Sequence, residues 1–138
     1  MEDADYVVRP VGRVESPLTD RHAAPKQGDE GAPPARIVFS PAFREAARDL
    51  RAGDEVLVLT WLHRGARDVL SIHPRGDTSR PITGVFATRS PDRPNPIGLH
   101  AVRIEAIEDD AITVSGLEAI QGTPVLDIKP RLGRVNER

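Results

Sequence analysis

Between Gly84 and His100 the chain reads GVFATRSPDRPNPIGLH, and its three prolines, Pro91, Pro94 and Pro96, decide what this stretch can become. Each fixes a backbone dihedral and removes an N–H donor, so the segment is excluded from helix interiors and central sheet and must run as a stiff loop between strands. Val85 and Phe86 end the strand-like run before it. The loop gathers two guanidiniums, Arg89 and Arg93, with Asp92, Asn95, Thr88 and Ser90. Two explanations compete for so many polar groups. Either proline and asparagine are turn chemistry and the arginines are solvated, or a loop stiffened in advance loses less entropy on closing over a ligand that bears carboxylate or phosphate.

A chain of 138 residues is one domain with one core, expected to span 1–138 without a C-terminal extension. It has no cysteine, which excludes disulfides, Cys-ligated zinc, iron–sulfur clusters and thiol catalysis. No apolar run approaches a membrane span, and the opening MEDADYVV is acidic rather than a basic signal peptide. A cytoplasmic protein with no membrane association is the expectation. The net charge of −2 would not drive it onto RNA, so any nucleic-acid contact needs a local patch. Apart from Lys26 and Lys129 the basic residues are all arginine, the side chain suited to bidentate recognition of carboxylate and phosphate.

Along the chain, Tyr6 to Val14 is β-rich but broken by Pro10 and Gly12, as an edge or bulged strand is. Pro17 to Ala35 has hardly an apolar residue larger than alanine and reads as a long mobile loop. Ser40-Pro41 reads as cap and first turn of a short helix, with Phe43, Ala46, Ala47 and Leu50 on one face and Gly53 as its stop. Beyond it the hydrophobic period becomes two. Strands are expected over Glu55 to Leu62, Asp68 to Ile72, Ile82 to Thr88, Leu99 to Ala106, Ala111 to Gly116 and Val125 to Lys129. Many short strands, one helix and no strand–helix alternation define a mainly β protein, a small barrel rather than a doubly wound sheet.

His63 ends the strand EVLVLTWLH two residues after Trp61, on the same face. A histidine there serves either as a hydrogen-bonded rim residue or as a titrating group in catalysis. His22, His73 and His100 share no metal-like spacing with it, and no metal is expected. In QGTPVLDIKP, Gly122-Thr123-Pro124 is a turn before a strand whose Val125, Asp127 and Lys129 are expected to face one way and Leu126 and Ile128 the other. Asp127 and Lys129 are also placed to pair with each other. No glycine-rich loop precedes a helix, and no serine sits in a nucleophile elbow.

The loop GVFATRSPDRPNPIGL together with GTPVLDIKP resembles the TrmO family, also called YaeB-like or VirR-like proteins. GRVESP at Gly12 to Pro17, Pro25-Lys26-Gln27, Trp61-Leu62-His63 and Leu117-Glu118 extend the resemblance from Val11 to about Leu132. It implies a compact β-barrel, a homodimer, and S-adenosyl-L-methionine-dependent methylation of N6 of threonylcarbamoyladenosine next to the tRNA anticodon. By position it places the cofactor against Pro25, Lys26, Gln27, His63, Arg64, Arg89, Leu99, Glu118, Ala119, Ile120 and Gln121. As proton acceptors, His63 and then Asp127 are the candidates.

Many relatives resemble LDLVDGTP where this chain has LEAIQGTP, so Glu118 and Gln121 stand at two aspartate positions; the usual tyrosine after IKP is Arg131. Gln121 keeps an acceptor and loses a charge. The acceptor class divides the alternatives. A tRNA substrate wants Arg64, Arg67, Arg75, Arg80 and Arg131 gathered beside the cofactor, whereas scattered arginines fit a small acceptor or a non-catalytic cofactor- or RNA-binding module.

Overall fold

Alternating hydrophobicity dominates the chain, and in the computed structural model it closes into a barrel; residues 4–18 and 33–132 are described. The strands are β1 (Gly12–Glu15), β2 (Ala35–Phe39), β3 (Glu55–Trp61), β4 (Ser71–Ile72), β5 (Thr83–Gly84), β6 (Ile97–Ile107), β7 (Ala111–Ser115) and β8 (Pro124–Pro130). Six of them form a closed antiparallel barrel in the order β1-β2-β7-β6-β3-β8, while β4 and β5 pair as a separate arm. Closure removes the exposed edges that short strands otherwise present.

The core is the inward half of each alternation: Val14, Ile37, Val56, Val58, Ile104 and Val114 are fully buried. On β6 the expected phase holds, with His100, Val102 and Ile104 inward and Leu99, Ala101, Arg103 and Glu105 outward. Strand β8 departs from simple alternation. Its register against β3 shifts between Leu59 and Thr60, so Leu59 faces Asp127 and Thr60 faces Val125, leaving Leu126 as an extra residue. A bulge of this kind reverses the facing of everything beyond it. Val125 is therefore buried while Asp127 and Lys129 are exposed, which corrects the expectation that all three share a face.

Three other expectations change in detail. Of Tyr6 to Val14 only Gly12 onward joins the sheet, and Tyr6, Val7 and Val8 are exposed. Strand β2 was not expected from the sequence, although Ile37 and Phe39 alternate correctly; it begins at Ala35, where the polar stretch ends. Within Asp68 to Ile72 and Ile82 to Thr88 only the two-residue pairs of β4 and β5 ladder, and Val85–Ala87 turns into a 3-10 coil on the way to the proline loop. Most of the Pro17 to Ala35 segment lies outside the described residues.

The Ser40-Pro41 start does open a helix, but it is a 3-10 helix over Pro41–Ala47, with no side-chain cap from Ser40. With three residues per turn, positions three apart superpose. Ala47, at the end of this helix, and Leu50, just beyond it, each pack against the core, whereas Ala46 is exposed. No described helix is long and apolar enough to cross a membrane.

Candidate active site

The proline loop is held by its own polar groups. Arg93 donates to the Thr88 and Ser90 carbonyls, each at 3.0 Å, and its backbone N–H donates to the Ala66 carbonyl at 2.9 Å. The Asp92 carboxylate accepts the Ala66 N–H at 2.9 Å. Arg67 donates to the Pro94 carbonyl at 2.8 Å and to Asn95 Oδ1 at 3.1 Å, and its guanidinium lies 5.1 Å from the Trp61 ring centroid. A Cβ on Gly65 would collide with the Pro91 carbonyl, so only glycine lets the segment after β3 press against the loop. Much of the polar density legible in the sequence is thus internal bracing. Arg93 is half-buried and lines the cleft while its guanidinium is engaged by the loop's own carbonyls.

The braced loops wall a cleft of about 1750 Å³. That exceeds the roughly 300–1,000 Å³ of a pocket for one small molecule, and the cleft is open to solvent rather than enclosed. His63 and Arg64 enter it from the end of β3, Arg89 and Leu99 flank the proline loop, and Glu118, Ala119 and Ile120 come from the β7–β8 connection. Seven predicted site positions, separated by up to 57 residues of sequence, therefore converge on one hollow. Arg89 is seated on its wall by donating to the Leu99 carbonyl at 2.5 Å.

Gln121 lies beside this group but outside the cleft. Its Oε1 accepts the Ser16 N–H at 2.8 Å and its own N–H donates to the Leu18 carbonyl at 2.5 Å, fastening residues 16–18 next to the cleft wall. Asp127 is on the outer barrel face, 3.7 Å from Lys129, and does not line the cleft. Pro25, Lys26 and Gln27 lie outside the described residues. Of the arginines considered for a nucleic acid, Arg64, Arg75 and Arg80 line the cleft; Arg67 braces the loop, and Arg131 sits 3.7 Å from Glu55.

His63 is exposed at the rim, yet its charged form is disfavoured, and its pKa falls below the ordinary imidazole range. Partial desolvation by the surrounding protein is the first cause, and the positive charges of Arg64 and Arg13 follow. Solvent at the rim screens those two charges, consistent with their lesser weight. The ring is neutral at physiological pH and able to accept a proton.

Sequence reasoning missed a buried group at the cleft wall, where His100 is itself a lining residue. His100 and Thr60 are buried side chains on neighbouring strands, with Thr60 Oγ1 2.7 Å from His100 Nε2 and His100 Nδ1 2.6 Å from Glu118 Oε1. The signal was a histidine in phase with Val102 and Ile104, hence pointing into the barrel, where a polar ring needs partners. Among the described residues no group of three or more His, Cys, Asp or Glu side chains could hold a metal ion.

Fold and site define a small closed antiparallel barrel with an arginine-lined cleft beside a proline-fixed loop, a class apart from the doubly wound nucleotide-binding sheets. The chain belongs to the tRNA-methyltransferase O N-terminal domain family, which it matches over residues 13–136. It is 43% identical over 131 residues to the "Probable S-adenosyl-L-methionine-binding protein" of Methanothermobacter thermautotrophicus, covering 94% of this chain and 93% of that one. To the "Probable S-adenosyl-L-methionine-binding protein VirR" of Rhizobium radiobacter it is 36% identical, covering 94% of this chain and 73% of the relative. The crystal structure of TrmO from Pseudomonas aeruginosa superposes with a TM-score of 0.75 at 31% identity, over 98% of this chain and 61% of that chain. The chain spans about three-fifths of the length of that solved chain.

Proposed function

We propose that this protein is an S-adenosyl-L-methionine-dependent methyltransferase that methylates N6 of threonylcarbamoyladenosine beside the tRNA anticodon, working as a cytoplasmic homodimer. The observation that carries this reading is the convergence of His63, Arg64, Arg89, Leu99, Glu118, Ala119 and Ile120 on one cleft. These are positions at which the family resemblance places the cofactor, with Pro25, Lys26, Gln27 and Gln121 completing the set. The donor set suits such a ligand. A guanidinium from Arg89 or Arg64 matches the methionyl carboxylate, the Glu118 carboxylate matches an ammonium or ribose hydroxyls, and Leu99, Ala119 and Ile120 offer apolar contact for the base.

When bound, the cofactor supplies a methyl carbon on a sulfonium, a group needing an aligned nucleophile more than covalent help from the protein. The work of the chain is binding, alignment and proton removal. N6 of threonylcarbamoyladenosine belongs to a urea-like group and attacks poorly while it keeps its proton. His63, neutral at the rim, would accept that proton as the new N–C bond forms and the methyl–sulfur bond breaks, the sulfur keeping the electron pair as a neutral thioether. Asp127, the second candidate, faces away beside Lys129, which leaves His63 as the base in this reading.

The arginines Arg64, Arg75 and Arg80 at the same opening favour a polyanionic acceptor over a small metabolite, because a guanidinium cluster beside the reacting group seats phosphates. Support for a twofold dimer bordering the cleft comes from Leu70, Ile82 and Phe86, apolar side chains 71%, 67% and 87% exposed on and beside the β4–β5 arm. The test is methyl transfer from S-adenosyl-L-methionine to tRNA bearing threonylcarbamoyladenosine, with the unmodified transcript as control. Incorporation into the modified tRNA alone supports the reading. Cofactor binding without transfer to it refutes the acceptor.

A further inference from the structure

We propose that His100 is a positioning residue that fixes the direction of the Glu118 carboxylate in the cleft, through a buried chain running Thr60, His100, Glu118. The inference rests on the reading of the cleft as a cofactor site.

The side chain of His100 is 4% exposed, and both its nitrogens are engaged. An ionised carboxylate only accepts hydrogen bonds, so the 2.6 Å contact requires Nδ1 to carry the proton. Nε2 lies 2.7 Å from Thr60 Oγ1, and as the Nδ1–H tautomer the ring accepts the Thr60 O–H there. The Glu118 carboxylate thereby sets the tautomer, and the Thr60 hydroxyl, able to donate or to accept, follows it. Glu118 Oε1 is tied below, while the 19% of its side chain that stays exposed belongs to a residue lining the cleft.

Two further features show that the chain is built for this contact. An added Cβ on Gly98 would lie 2.5 Å from Thr60 Oγ1 and 2.7 Å from His100 Nε2, so glycine keeps open the space in which that bond forms. Glu118 is also one methylene longer than an aspartate. Its extra methylene adds a torsion that would blur the direction of the carboxylate, and the bond to His100 removes that freedom. No buried side-chain nitrogen or oxygen is left without a partner among the described residues.

The experiment uses the full chain and two readouts. In the ligand-free protein, nitrogen-15 NMR of the imidazoles is expected to show His100 as the Nδ1–H tautomer near neutral pH; an Nε2–H tautomer would overturn the proposal. By calorimetry, His100→Leu is expected to weaken S-adenosyl-L-methionine binding by about tenfold, the scale of one charge-assisted hydrogen bond. His100→Asn, whose amide nitrogen takes the place of Nδ1, should recover most of that loss. In a Glu118→Ala background, His100→Leu should cost nothing more, and the same tenfold loss there would show that His100 acts by another route. Should His100→Leu fail to fold, Glu118→Ala alone decides: its His100 should lose the Nδ1–H preference, and retention of it would refute the chain of contacts. A wild-type protein with the expected tautomer but no affinity for the cofactor would instead overturn the proposed function, and with it any ligand-orienting role for His100.

Discussion

Arg67 and Trp61 stack across the mouth of the barrel, with the guanidinium carbon 5.1 Å from the ring centroid, and the same guanidinium ties down Pro94 and Asn95. One side chain thus joins the end of β3 to the proline loop. Arg67→Ala is expected to lose about 1–2 kcal/mol of stability, combining an exposed cation–π contact with two hydrogen bonds. Urea denaturation checks this, and a midpoint equal to wild type would show the brace to be idle.

Arg89 is predicted to anchor the cofactor. Arg89→Ala should weaken S-adenosyl-L-methionine by about 1.5–3 kcal/mol, the range for a hydrogen bond to a charged group. Calorimetry on the two proteins reads it directly. Because Arg89 also donates to the Leu99 carbonyl, thermal melts of both should accompany the titration, and equal affinities would remove Arg89 from the site.

With His63 as the proposed base, turnover is predicted to have a pH dependence of definite sign. Its pKa lies below the ordinary imidazole value of 6.5, so the basic form is present at neutral pH and is lost only on the acid side. Turnover should be flat through neutrality and fall as the pH drops below that value. His63→Ala should lower kcat more than cofactor affinity and abolish this acid limb. For stability the same shift means that the unfolded chain takes up the proton first, so His63 opposes folding below the ordinary imidazole range and has no effect above it. An unchanged acid limb in His63→Ala would assign the titration to another group.

The barrel was legible because period-two alternation is a local property, and Val56, Val58, Val102, Ile104 and Val114 carry it in the open sequence. What escaped depended on partners distant in the chain. The bulge at Leu126 arises from the register between β3 and β8, and nothing within VLDIKP announces that Asp127 is turned outward. Likewise the bond from His100 to Glu118 joins residues 18 apart, and the bracing by Arg93 and Arg67 exists only once two loops meet. The site positions in the cleft came from resemblance rather than from composition or spacing, and the geometry then showed that they share a wall.

The exposed apolar arm leads to a prediction about assembly. Light scattering on the full chain should give a dimer at micromolar concentration, and Phe86→Asp, replacing a side chain 87% exposed at the cleft rim, should shift it toward monomer. A wild-type monomer that binds cofactor fully would show that the cleft needs no second copy.

The central claim is that this cleft transfers a methyl group to a modified tRNA adenosine. The most direct measurement incubates the purified chain and S-adenosyl-L-methionine with tRNA carrying threonylcarbamoyladenosine and, separately, with the unmodified transcript, followed by nucleoside mass spectrometry. A gain of one methyl group is expected on the threonylcarbamoyladenosine nucleoside and none on the transcript. Full cofactor binding with no methylated nucleoside in either tRNA would contradict it.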